Sequence, residues 1–414
     1  MKRSFLILAF VGLSAMVSAQ TMKVQSAYSD MKNGRLLNAK QNIDDALKDD
    51  KTGKEAKTWN YAGVIYTQIV QAMEDESTDK KTKKELKKIT ESKEELCNKG
   101  LDFLKQCIQM DEKKEYTSSS IGAIKVLCGF AYMYAGKDYN DQKYEVAVNK
   151  FHSLAETAVI ANYNEIAMDA KYYEADCYRM MKQNDKEMEL YRELAKMNTT
   201  KGDVYLKIYA ANMNDKDTNK AINALKKGVR LTAKDKNMNI KLKSTLAQTY
   251  IWTGKSDEAD KIIDELLAGN ENNIAALNSV ANIYVDLENV QKAEELFNKS
   301  IQIDSKQIDA YKGLGILNFN QAVAENTAAD KLPPDPKFDE EYNAHKKASF
   351  AFFEKSEPFF KEVLSRNEND FDSLKALKTV YAQLASRSDS DAQTKAAYKE
   401  KYQQVSAKLQ TLLQ

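Results

Sequence analysis

The stretch LNSVANIYVDLENVQKAEELFNKSI, residues 277–301, decides the fold of this chain. Apolar residues recur in it at spacings of three and four, which is typical of one face of an α-helix. The residues that carry the pattern are Leu277, Val280, Ala281 and Tyr284 in the first half, and Ala293, Phe297 and Ile301 in the second. The turn segment DLEN separates the halves, so the stretch predicts a helix–turn–helix hairpin.

The same pattern returns with a period of 34 residues. Tyr250 precedes Tyr284 by 34 positions, and Ala259 precedes Ala293 by 34. Leu277 precedes an aromatic residue, Tyr311, by the same distance. A two-helix hairpin cannot bury its apolar face alone, so the repetition predicts an array whose core forms where hairpins stack.

The segment WNYAGVIY, residues 59–66, resembles the first half of the tetratricopeptide repeat (TPR) signature. The second half, alanine followed four positions later by an apolar residue, recurs at Ala39, Ala147, Ala221, Ala259 and Ala293. The resemblance implies an all-α, right-handed superhelical solenoid of about nine TPR-like helix hairpins. The proline that often ends the second helix in that family is absent, since the four prolines lie at 333, 334, 336 and 358.

Extending the register predicts a TPR-like solenoid over residues 20–414, with two large insertions at about 74–95 and 321–350. The repeats are expected at about 21–53, 55–113, 119–160, 167–199, 202–235, 240–272, 274–306, 308–368 and 371–414. The mixed Lys and Glu of the first insertion favours lengthened helices, and the Pro-rich segment 333–336 favours a stiff, extended loop. Small residues such as Gly63, Gly129 and Gly315 are expected to let neighbouring helices approach closely.

Residues 1–19 have the pattern of a secretory signal peptide. Lys2 and Arg3 precede an apolar run, and Val17-Ser18-Ala19 is a small-residue cleavage site. An uncleaved N-terminal anchor is the alternative interpretation. The composition and the Ser-Ala-Gln exit resemble those of Bacteroidetes exported proteins, which implies the periplasm or cell envelope of a Gram-negative bacterium. No later stretch is apolar for long enough to predict a transmembrane segment.

Four cysteines are present, at 97, 107, 128 and 177. Cys97 and Cys107 lie ten positions apart in one predicted helix, which is roughly 15 Å, too far for a disulfide bond. A disulfide between Cys107 and Cys128 stays open as an alternative to four small core residues.

Nothing in the sequence predicts catalysis. The chain lacks the P-loop, GxGxxG, HExxH, CxxC and GxSxG patterns, and its two histidines, His152 and His345, are 193 positions apart. The sequence therefore predicts no catalytic residue, no cofactor and no metal site. The 62 basic and 61 acidic side chains balance, which gives no case for nucleic-acid binding.

In TPR proteins the first helix of each hairpin lines a concave groove, and this implies a peptide- or protein-binding surface here. The residues carried over to that groove are Tyr172, Arg179, Gln248, Trp252, Asn278, Asn282, Lys312 and Phe319. Asn and Gln amides can bond to a peptide backbone as donor and as acceptor. Trp252 is an anchor candidate, or else an inter-repeat tryptophan.

These observations predict a non-catalytic scaffold or adaptor of the bacterial cell envelope that binds a protein or extended peptide. The first alternative is a structural subunit of an envelope or secretion assembly. The second is a hydrolase or enzyme accessory whose polar cluster lies around His345 in the second insertion. The oligomeric state and the identity of the partner stay open.

Overall fold

The computed structural model describes residues 21–413, and this part of the chain contains α-helices and two short 3-10 turns but no β-strand. The first described helix, α1, covers residues 21–32. The others are α2 (Leu36–Leu47), α3 (Ala56–Glu74), α4 (Lys80–Leu86), α5 (Lys93–Met110), α6 (Thr117–Asn140), α7 (Tyr144–Ile160), α8 (Asn164–Met180), α9 (Asn184–Lys196), α10 (Gly202–Asn214), α11 (Thr218–Leu231), α12 (Lys236–Trp252), α13 (Ser256–Leu267), α14 (Ile274–Asp286), α15 (Val290–Ile303), α16 (Ile308–Lys331), α17 (Asp339–Arg366), α18 (Phe371–Ser386) and α19 (Ala392–Leu413).

The helices pack as stacked hairpins. The hairpin partners are α3 with α5, α6 with α7, α8 with α9, α10 with α11, α12 with α13, α14 with α15, α16 with α17, and α18 with α19. The first helices of successive hairpins also lie side by side, as α3, α6 and α8 do, and as α10, α12, α14, α16 and α18 do. The all-α helical solenoid of TPR-like hairpins predicted from the sequence is confirmed.

Many of the hairpin turns use a residue in the left-handed backbone conformation to end the first helix. Gly254 has a φ of 73°, and Glu288, 34 positions later, has a φ of 55°. The amide of the next residue then reaches back into the helix, with Lys255 N bonding to Tyr250 O at 2.8 Å. Such a bond satisfies a carbonyl at the helix end, so these turns need no proline to stop the helix.

The chain divides into two compact units, residues 1–199 and 200–414. Unit 1 has one continuous apolar core, in which Ile65, Leu104 and Phe151 are almost fully buried. Unit 2 has a succession of smaller cores along the array, with Phe297 and Phe360 buried in two of them. This succession is what stacked hairpins produce, since each buries its apolar face only against its neighbours.

The close approach expected at the small residues is confirmed at two positions and wrong at a third. A β-carbon at Gly63 would overlap the side chain of Leu104, and one at Gly315 would lie 2.8 Å from Phe360 Cε1. At Gly129 a β-carbon would meet nothing within 4 Å. Gly129 is on an exposed side of α6, so no helix packs against it there.

The first insertion lengthens its neighbours, as expected, since α3 has 19 residues and α5 has 18, against 13 and 14 in α14 and α15. It also forms a short separate helix that the sequence did not predict. Helix α3 ends at Glu74, α4 covers Lys80–Leu86, and α5 begins after Ser92 with a capping box to Glu95. Leu86 is 2% exposed and holds α4 against the core of unit 1. A buried lysine of α2, Lys40, adds an ion pair of 2.9 Å to Glu91.

The second insertion lengthens its helices, with α16 at 24 residues and α17 at 28. The expected stiff loop is short, since a 3-10 turn already begins at Pro336. The aromatic residue Phe353 of α17 is 1% exposed and belongs to the core. His345 pairs with Glu325 of α16, with 2.6 Å between Nδ1 and Oε2, so the two long helices are tied together here.

All four cysteines are free and buried. The structure therefore has no Cys107–Cys128 disulfide, and the alternative of four core residues is the one observed. The predicted signal peptide, residues 1–19, lies outside the described residues. Among residues 21–413, no helix is both long enough and apolar enough to cross a membrane. The predicted repeat bounds stay predictions.

Candidate functional site

The first helices of four hairpins in unit 2, α10, α12, α14 and α16, each carry a row of side chains at four-residue spacing on one side. We call these four rows together the first-helix face. Residues four apart lie one turn apart on the same side of a helix. The side chains in question are Tyr209 and Met213 of α10, Gln248 and Trp252 of α12, Asn278, Asn282 and Asp286 of α14, and Lys312 and Ile316 of α16. Trp252 and Asp286 are 34 positions apart, so they occupy equivalent places in neighbouring hairpins.

Trp252 opens onto a cavity of about 430 Å³, which we call the Trp252 cavity. Its lining residues are Tyr209, Met213, Gln248, Thr249, Ile251, Trp252 and Asp286. Trp252 is 70% exposed at the last position of α12. The alternative of a partly buried tryptophan between repeats is therefore wrong, and most of the indole surface faces solvent.

Four polar side chains around this cavity form two hydrogen bonds between helices. Gln248 Nε2 donates a hydrogen bond of 3.1 Å to Asp286 Oδ2, which links α12 to α14. The hydroxyls of Thr249 and Tyr209 are 3.1 Å apart and share a hydrogen bond between α12 and α10. Because these bonds join neighbouring hairpins, they hold the walls of the cavity in place relative to Trp252.

A second cavity, of about 370 Å³, lies between α14 and α16. Asn278, Asn282 and Lys312 all line it, so the structure brings together three of the predicted residues. Asn278 is only 6% exposed, and its Oδ1 atom has no hydrogen-bond partner. Asn282 is exposed and is the amide of this pair that a ligand can reach directly.

Lys312 is already engaged with two carboxylates of the next hairpin. Its Nζ lies 3.1 Å from Asp370 Oδ2 and 2.8 Å from Asp372 Oδ2. Burial alone would lower the pKa of Lys312, but the hydrogen bonds to Asp372 and Asp370 raise it above its usual value. The lysine is therefore charged and internally neutralised, which leaves little attraction for an anionic ligand.

A third cavity, of about 590 Å³, continues the row between the end of α14 and the middle of α16. Its lining includes Asp286 and Glu288 together with the apolar side chains of Val285, Leu317 and Val323. Asp286 thus borders both this cavity and the Trp252 cavity. The cavities of the first-helix face combine apolar side chains with amides and carboxylates, as small binding sites commonly do.

The other predicted residues are placed differently. Phe319 packs edge-on against Phe353 of α17, with ring centroids 5.6 Å apart, so it supports the core of unit 2. In unit 1, Arg179 is paired with Asp176, with 2.5 Å between Nη2 and Oδ1. Tyr172 packs against the rings of Tyr173 and Tyr191. None of these three lines the cavities of unit 2 described above.

Sequence reasoning did not single out Tyr209, although it lines the Trp252 cavity. The available signal was weak: Tyr209 precedes Met213 by four positions, which places both on one side of α10. Glu288 was also missed, because it lies in the turn after α14, outside the helical register. Within residues 21–413 no group of three or more His, Cys, Asp or Glu side chains is placed to hold a metal ion.

No protein-family model matches the chain, and no curated protein sequence matches it. Among solved structures it is similar to PilW, a type IV pilus biogenesis factor, at 15% identity and a TM-score of 0.38, covering 60% of this chain and 98% of that one. It is similar to a TPR repeats protein from Bacteroides fragilis at 18% identity and a TM-score of 0.23, covering 62% and 98%. Yeast Tom70 matches at 12% identity and a TM-score of 0.33, covering 94% of this chain and 89% of its own.

Proposed function

We propose that the chain is a non-catalytic interaction scaffold whose first-helix face in unit 2 holds an extended segment of a partner protein. The observation that carries the proposal is Trp252, which is 70% exposed beside a cavity whose walls are fixed by hydrogen bonds between hairpins. A large apolar side chain left exposed forgoes most of the stabilisation that burial would give, which is roughly 1.5–3 kcal/mol for residues such as Leu or Phe. Tryptophans in such positions are frequent binding anchors.

The spacing of the face suits an extended peptide. Neighbouring packed helices lie about 8–10 Å apart, and an extended chain rises about 3.3 Å per residue. A peptide crossing α12, α14 and α16 therefore brings about every third side chain to the next cavity. The amides of Gln248 and Asn282 lie beside that path and can bond to peptide N–H and C=O groups.

We place this scaffold in the cell envelope of a Gram-negative bacterium, because residues 1–19 have the pattern of a signal peptide. The mass of the mature protein purified from its native cells tests this part. Cleavage after Ala19 supports export, and an intact N-terminus contradicts a cleaved signal.

Site-specific photo-cross-linking in cells that make the protein tests the binding face. A benzophenone amino acid is introduced at Trp252 or at Asn282, and the cross-linked products are identified by mass spectrometry. We expect one dominant partner from both positions. The matched control is the same amino acid at Asn298, an exposed position of the second helix α15, where we expect no such product.

The outcomes separate the proposal from its alternatives. A dominant partner trapped from Asn298 and not from Trp252 would place the contact on the second helices, as expected of a structural subunit of a larger assembly. Cross-links to further copies of the chain from every position would indicate self-assembly. Either result would overturn the proposed binding face.

A further inference from the structure

We propose that the Trp252 cavity recognises a cationic side chain, the guanidinium of arginine or the ammonium of lysine, on the bound segment. This inference rests on the proposed function, because it names the chemistry of one position of that partner. It follows from two groups at the cavity that lack a cation: the carboxylate of Asp286 and the exposed ring of Trp252.

Asp286 has an amide partner but no cationic one. Gln248 donates one hydrogen bond to Oδ2, and among residues 21–413 no Lys, Arg or His forms an ion pair with Asp286. Some carboxylates of unit 2 have a cationic partner, as Glu265 has Lys243 at 2.7 Å, whereas Asp286 has none among the described residues and borders the Trp252 cavity. An exposed carboxylate next to an apolar wall attracts a cation more strongly than one in open water, because water is displaced on one side.

The aromatic groups show the same contrast. Tyr250 has Lys226 Nζ 5.7 Å from its ring centroid, and Tyr284 has Lys292 Nζ at 4.8 Å. Trp252, the best cation acceptor of the aromatic side chains, has no lysine or arginine over its ring among the described residues. Lysines of the chain itself thus lie over the rings of Tyr250 and Tyr284, and the ring of Trp252 is left open.

The charges that line the rest of the first-helix face also favour a positively charged ligand. The acidic residues that line its three cavities are Asp286, Glu288 and Asp309, and the sole basic residue is Lys312. Lys312 is neutralised by Asp370 and Asp372. An acidic peptide would therefore meet uncompensated carboxylates, whereas a basic one would complement them.

Selection of displayed random peptides on the immobilised full chain tests the inference without knowledge of the natural partner. We expect the recovered peptides to carry Arg or Lys at a common position. The selection is repeated on Asp286→Asn, in which the retained side-chain oxygen still accepts the bond from Gln248. We expect that variant to lose the preference for a cation. Glu294→Gln, which neutralises an exposed carboxylate that lies on the second helix α15 and lines none of the three cavities, is the matched control and should keep it.

One selected peptide is then synthesised with its cationic residue and with a neutral counterpart, citrulline for arginine or norleucine for lysine. We expect the neutral peptide to bind the wild-type chain about five- to tenfold more weakly, and to bind Asp286→Asn about as well as the cationic peptide does. Trp252→Ala should weaken the cationic peptide by a similar factor. High salt should reduce the discrimination in the wild-type chain.

The failures of the two proposals are distinguishable. If binding of the recovered peptides requires Trp252 and Asn282 but the peptides show no preference for Arg or Lys, the proposed cation site is overturned. The proposed binding face is then still supported. The same holds for a preference that Asp286→Asn does not change. If no recovered peptide is sensitive to Trp252→Ala or Asn282→Ala, both proposals are overturned.

Discussion

Glycines in the first helices have two opposite roles in this chain. Gly63 of α3 lies where α5 crosses, and the side chain of Leu104 occupies the space that a β-carbon would need. Gly129 of α6 has the same helical setting but faces no neighbour within 4 Å. Glycine inside a helix costs roughly 0.5–1 kcal/mol of stability relative to alanine. Closer packing of two helices offsets this cost at Gly63, and nothing offsets it at Gly129.

We expect Gly63→Ala and Gly129→Ala to change stability in opposite directions. The first substitution forces Leu104, which is fully buried, out of its position and should lower the free energy of unfolding by about 1–3 kcal/mol. The second should raise it by about 0.5–1 kcal/mol through helix propensity. Denaturant unfolding followed by circular dichroism measures both, and a stabilising Gly63→Ala would contradict the packing described for α3 and α5.

The first insertion is held to unit 1 by apolar contacts of Leu86 and Ile89 and by two ion pairs of Glu91. Leu86 of α4 is buried in the core, and Glu91, which follows α4, accepts from Lys40 and from Lys99, at 2.9 Å and 3.0 Å. Burial alone would raise the pKa of Glu91, but the bonds to Lys40 and Lys99 lower it from 4.5 to about 2. The charged carboxylate of Glu91 therefore joins the end of the insertion to α2 and to α5.

We expect the insertion to loosen in acid. Since the pKa of Glu91 is depressed in the folded chain, its contribution is fully present above pH 4.5 and is lost as the pH falls towards about 2. Amide hydrogen exchange of residues 80–92, corrected for the intrinsic pH dependence, measures this change.

The variant Glu91→Gln should expose residues 80–92 to exchange already at neutral pH and should show little further change in acid. Its matched control is Glu76→Gln, which removes an exposed carboxylate of the same insertion and should behave as the wild-type chain does. Equal protection of residues 80–92 in Glu91→Gln and in the wild-type chain at neutral pH would show that the ion pair does not hold the insertion.

The array as a whole is held by packing, without covalent cross-links among the described residues. All four cysteines lie in unit 1, and each is free and buried. Burial raises the pKa of the Cys97, Cys128 and Cys177 thiols to about 12 each, and it also raises the pKa of Cys107. The reactive thiolate form is therefore scarce at neutral pH.

We expect no thiol of the native chain to react readily with a thiol reagent at neutral pH, and all four to react after unfolding in denaturant. A reducing agent should leave the midpoint of thermal unfolding unchanged, because no disulfide contributes to stability. Recovery of only two thiols from the unfolded chain, with a midpoint that falls on reduction, would show a disulfide and contradict this account.

The 34-residue period predicted the helices, their pairing into hairpins and the sides of α12 and α14 that carry Gln248, Trp252 and Asn282. These features depend on short-range spacing: apolar residues at helical intervals, polar turns and a repeated length. A hairpin contacts only its neighbours, so the same local pattern also implies the stacking. The insertions were less predictable, since their charged residues carry no period that sets where a helix stops.

Contacts between positions far apart in the sequence determine which side chains of the face are free to bind a partner. Lys312 is satisfied by Asp370, Phe319 packs on Phe353, and Tyr209 meets Thr249 beside Trp252, with 58, 34 and 40 positions between the respective partners. A repeat register identifies which side chains share a face, but it does not say which of them a neighbouring hairpin already covers or neutralises. Only the packed helices show this, because burial and ion pairing depend on atoms brought together across the array. For that reason the sequence alone placed Trp252 on the face, and the tertiary structure showed that its ring and Asp286 are left without a cation.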